Sequence, residues 1–87
     1  MPRRHSLNRS AANMARTHRG GLETLYHELP KTFKLSDATA VIDDWNQGTF
    51  LKLKQAGLLD NEYAGGSEPK DWYLTQQTRR WLDHEAH

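Results

Sequence analysis

At Gly57 the spacing of apolar residues changes from helical to alternating, and no other feature limits the possible folds of this chain so strongly. Phe50, Leu53 and Ala56 recur at the three-residue step of one helix face. Gly57 follows where a helix commonly ends in the left-handed conformation that glycine adopts without steric cost. Beyond it, residues 58–63 and 71–75 carry the aromatic and apolar side chains that suit a pleated, half-buried strand. Gly65, Gly66 and Pro69 fall between the two runs, so they are predicted to pair as a hairpin with a loose tip. A helix that stops at a glycine and hands the chain directly to a hairpin is therefore the centre of the expected fold.

The elements before and after this centre follow from the same periodicities. Leu22, Leu25, Tyr26 and Leu29 mark a first helix over 21–29, which Pro30 stops. Residues 32–35 alternate polar and apolar, predicting a very short extended segment, and Ser36-Asp37 then offers an N-cap. Ala38, Val41, Ile42 and Trp45 give a second helix over 36–45 one apolar face. Gly48 disfavours a helix interior by about 1 kcal/mol relative to alanine, so a turn is predicted over 44–48, with a third helix over about 47–56. A last helix over 76–85 turns Trp81 and Leu82 inward, and Trp45, Trp72 and Trp81 are expected in the core. The expected class is α+β, mostly helical, with one domain over 21–87.

Charge is distributed unevenly. Residues 1–20 hold Arg3, Arg4, Arg9, Arg16 and Arg19 and no acid, whereas the remainder holds seven Lys or Arg against eleven Asp or Glu. With few large apolar residues and Gly20-Gly21 at its end, the first segment reads as a basic flexible arm on an acidic body. At 87 residues one core is the ceiling, which counts against an enzyme with a deep cavity. The chain has no cysteine, which rules out disulfides and thiolate metal sites. His27-Glu28-Leu29-Pro30-Lys31 lacks the second histidine of a zinc-protease helix, and His84 with His87 makes a poor metal pair at the chain end. No cofactor and no catalytic residue is expected. No run approaches the roughly 20 apolar residues that cross a bilayer, and no apolar leader is present, so an intracellular, cytoplasmic protein is expected.

The order helix, short strand, helix, turn, helix, hairpin, helix resembles the winged helix-turn-helix family of transcription regulators over residues 21–85. The strings Leu53-Lys54-Gln55-Ala56-Gly57-Leu58-Leu59 and Trp72-Tyr73-Leu74-Thr75 carry the resemblance. It implies a three-helix core, a β-hairpin wing and a C-terminal helix, with double-stranded DNA as the partner. It also implies a sequence-specific, repressor-like regulator whose third helix enters the major groove. On that helix, spacing turns Gln47, Gly48, Thr49, Lys52, Lys54 and Gln55 to solvent or the flanks. Glutamine pairs with adenine, lysine with guanine or phosphate, and threonine with phosphate or a thymine methyl. Four acids stand in the wing segment against Lys70, which is left as a minor contact, while Arg3, Arg4, Arg9, Arg16 and Arg19 supply phosphate contacts. The family also dimerises through terminal helices, which makes residues 76–85 the candidate homodimer surface. The alternative is a winged-helix protein-interaction module that binds no DNA.

Overall fold

The computed structural model describes residues 7–63, 65–66 and 70–85. Among these, five helices and three strands follow one another: α1 (Arg9–Thr17), α2 (Arg19–Glu28), β1 (Phe33–Lys34), α3 (Leu35–Val41), α4 (Gln47–Gln55), β2 (Leu59–Glu62), β3 (Asp71–Leu74) and α5 (Gln76–Glu85). The α+β, mostly helical class is as expected.

The expected flexible arm is corrected for residues 7–20. Asn8 caps α1 by accepting from the Ala11 amide at 2.8 Å, and Leu7, Ala11, Ala12 and Ala15 are buried in the common core. The inward stripe of α1 is made of alanines, which register weakly in a hydrophobic scan. Alanine is nonetheless the best helix former, and its small side chain lets a helix lie close to its neighbour. His18 closes α1 and opens α2. Gly20-Gly21 accordingly lies inside α2 and is no linker; a Cβ on Gly21 would run into the indole of Trp45. Met1 to Ser6, with Arg3 and Arg4, and His87 lie outside the described residues.

α2 ends at Glu28, and Leu29 takes the extended conformation (φ −110°, ψ 155°) that a residue before proline prefers. β1 pairs antiparallel with β3 (Phe33 opposite Trp72), and β3 pairs antiparallel with β2 (Leu59 opposite Leu74), giving the sheet order β1-β3-β2. Lys34 and Asp71, opposite each other, form a salt bridge of 2.6 Å.

The second helix differs from expectation. α3 starts at Leu35 and stops at Val41, and the break falls over residues 42–46, earlier than Gly48. Asn46 is the reason. Its side chain accepts from the Thr49 amide at 3.1 Å while the Thr49 hydroxyl lies 3.4 Å from the Asn46 amide, a capping box that starts α4 at Gln47. Gly48 then sits in the first turn. Ile42 and Trp45 still reach the core from outside the helices, whereas Val41 is left exposed.

The end of α4 is as the sequence predicts. Gly57 has φ 84°, its amide donates to Lys54 at 3.0 Å, and the Leu58 amide donates to Leu53 at 3.0 Å. These are the two bonds of a Schellman motif, and they aim the chain straight into β2. Phe50 and Leu53 are fully buried. Trp45, Phe50 and Trp72 form an edge-to-face series with centroids 5.1 Å and 5.9 Å apart, and Trp81 and Leu82 close the core from α5.

Thr75 and Thr78 lock α5 to the end of α4. The buried Thr78 hydroxyl donates to the Leu58 carbonyl at 2.8 Å, and Thr75 Oγ1 lies 2.8 Å from the Gly57 carbonyl. Thr78→Val keeps the shape and removes the donor. It is expected to cost about 1 kcal/mol in urea unfolding, the low end for a buried hydroxyl, because the Thr75 amide still serves the Leu58 carbonyl at 3.1 Å.

Candidate nucleic-acid interface

α4 presents the site. With Phe50 and Leu53 pointing inward, steps of about 100° per residue put Gly48 and Gln55 opposite them, with Leu51 and Lys52 on either side and Gln47, Thr49 and Lys54 on the flanks. Gln47, Gly48, Lys52, Lys54 and Gln55 are exposed, as the sequence predicts. Thr49 is half-buried and committed to the Asn46 cap, so it serves the fold before any ligand. Sequence reasoning misses one residue: Leu51 is 46% exposed in the middle of this face. Helical spacing alone places it there, but a search for hydrogen-bonding side chains passes over a leucine.

Tertiary structure brings in residues that spacing does not relate. Gln47 and Leu51 share a groove of about 290 Å³ with Leu35, Asn61, Lys70 and Trp72, so the face of α4 continues across to the hairpin strands on the side of their connecting loop. Lys70 lies there, exposed. Asp60, Glu62 and Asp71 make the strands themselves acidic. The Tyr73 phenol is accordingly held above its ordinary range, by burial first and then by the charges of Asp60 and Glu62.

The basic side chains of α1 are set on a rigid helix. Arg9 and Arg16, seven residues apart on one exposed face, flank Asn13, whose Oδ1 accepts from Arg16 at 2.7 Å. Arg19 lies at the start of α2 and pairs with Glu23 at 3.3 Å. α1 packs on α2, and the imidazole of His18 meets Trp45 edge to face at 5.7 Å, one residue before the α4 cap.

A second groove, of about 540 Å³, is lined by Lys31, Tyr73, Leu74, Gln76, Arg79 and Asp83. Arg79 and Asp83 are both engaged with Tyr26. Arg79 lies over the Tyr26 ring at 4.7 Å, and the Tyr26 hydroxyl donates to Asp83, a bond that raises the phenol above its usual range. The apolar residues of α5 face the core, and Gln76, Gln77, Arg80, Asp83 and His84 are exposed among the described side chains. Among the described residues, no helix is long and apolar enough to cross a membrane, and no group of three or more His, Asp or Glu is placed to hold a metal ion.

No known protein family, curated protein or solved structure matches this chain.

Proposed function

We propose that this protein is a winged helix-turn-helix regulator of transcription that binds double-stranded DNA, with α4 in the major groove. One observation carries the reading. α4 is fixed by a capping box at one end and a Schellman motif at the other, and holds Gln47, Lys52, Lys54 and Gln55 out to solvent beside a hairpin. A major groove about 12 Å wide admits one such helix, and α4 passes the chain at Gly57 directly into β2, against which it packs, so the hairpin stands next to it. α3 and α4, joined by residues 42–46, are the helix-turn-helix pair of this reading.

Phosphate contacts come from α1 and Lys70, since the acidic hairpin strands repel a polyanion. The intact protein is expected to raise the fluorescence anisotropy of a labelled random duplex pool at about 50 mM salt, where phosphate contacts are strong. No binding there overturns the reading. Because α1 is part of the core, its arginines are tested by point substitution. Arg9→Ala with Arg16→Ala is expected to flatten the slope of log K against log salt by about 0.9 for each phosphate released. An unchanged slope removes α1 from the interface.

The acidic hairpin favours a second reading, a winged-helix module that docks a basic protein. Under it no duplex is bound at any salt concentration, so the same anisotropy series separates it from the first reading.

A further inference from the structure

Leu51 gives the face of α4 a chemical preference. It is one of three large apolar side chains exposed among the described residues, with Val41 and Tyr63, and the one that stands on this helix face. One turn before it is Gly48, where an added Cβ would meet only the Asn46 carboxamide oxygen, at 3.1 Å. The bare position leaves the leucine as the most prominent apolar point of the helix. Gln47 and Gln55, four residues to either side along the same exposed ridge, carry neutral carboxamides.

In the major groove the thymine C5-methyl is the one apolar group on a base edge, and a glutamine carboxamide matches the N6 donor and N7 acceptor of adenine. Both chemistries select the same base pair. We infer that the DNA element read by α4 is centred on A·T pairs, with Leu51 packed on a thymine methyl and Gln47 and Gln55 addressing adenine edges. The inference rests on the DNA-binding reading above and adds which residue discriminates and what group it recognises.

The test starts from duplexes selected by the full-length protein from a random pool. In the best of them each thymine is replaced in turn by deoxyuridine, which removes the methyl and keeps every hydrogen bond. Wild-type protein is expected to select elements with an A·T centre and to bind about fourfold more weakly when one particular thymine loses its methyl, the effect of one buried carbon. Leu51→Ala is expected to bind the two duplexes equally. The uracil series on wild-type protein needs no variant, and a melting curve checks that Leu51→Ala folds. Tight selected binding with no sensitive thymine, or the same weakening in both proteins, overturns the inference and leaves DNA binding standing. Failure to enrich any duplex overturns the DNA-binding reading itself, and the inference with it.

Discussion

Gly21→Ala is expected to destabilise the protein by about 2 kcal/mol, and Gly20→Ala, one residue earlier, to stabilise it by about 0.5–1 kcal/mol. The two glycines share a helix and differ in what lies beside them. A Cβ on Gly20 meets nothing within 4 Å, so alanine contributes its helix propensity and reduces the freedom of the unfolded chain. A Cβ on Gly21 overlaps Cζ2 of Trp45 and stands 2.5 Å from Cε2 and 3.0 Å from Cη2. The indole has no room to retreat. It is buried, braced edge to face by Phe50 at 5.1 Å and by His18 at 5.7 Å, and Phe50 is itself backed by Trp72. The strain therefore exceeds the gain in propensity, which applies equally to both positions. Thermal unfolding followed by circular dichroism should show Gly21→Ala melting about 10 °C below wild type and Gly20→Ala a few degrees above it. Gly21→Ala melting at or above the wild-type temperature would mean that α2 and Trp45 are not packed in this way.

That pair of glycines illustrates what the sequence discloses and what it withholds. Where the determinant is local, the sequence is readable. Gly57 closes α4 through two bonds within six residues, and α5 over Gln76–Glu85, with Trp81 and Leu82 inward, follows from its own spacing. Pro30 stops α2 by the same kind of short-range constraint. The break between α3 and α4 is also set locally, but placing it requires weighing two signals. Gly48 argues against a helix by its propensity, and the reciprocal bonds of Asn46 and Thr49 outweigh it. α1 is hidden in the sequence because Ala11, Ala12 and Ala15 look neutral until a neighbouring helix is known to cover them. Gly21 looks like the end of an arm because only the tertiary position of Trp45, 24 residues on, reveals it as a contact. The candidate site divides in the same way. Its polar face on α4 follows from helical spacing, whereas the groove that Gln47 shares with Lys70 depends on how the hairpin packs.

Removing Lys52 and Gln55 together is expected to weaken binding to a selected duplex about 10- to 100-fold and to relax its sequence preference. The two residues stand three apart on the outward side of α4, and both are exposed, so truncation opens no cavity. Alanine is the better helix former at both positions, and the capping box and the Schellman bonds lie elsewhere. The variant should thus unfold at or slightly above the wild-type temperature, and any drop in affinity belongs to the interface. Lys54→Ala is the informative contrast. Lys54 follows the buried Leu53 on the flank of the helix, where its ammonium can reach a phosphate more readily than a base edge. Its removal should reduce the salt slope by about 0.9 and weaken all duplexes alike. Truncating a side chain that touches a base edge, as Lys52 and Gln55 do in this reading, should instead weaken the selected duplex far more than a scrambled one, because base edges carry the sequence and phosphates do not. If the double variant and Lys54→Ala weaken selected and scrambled duplexes by the same factor, α4 does not read bases, and the protein holds DNA by charge alone.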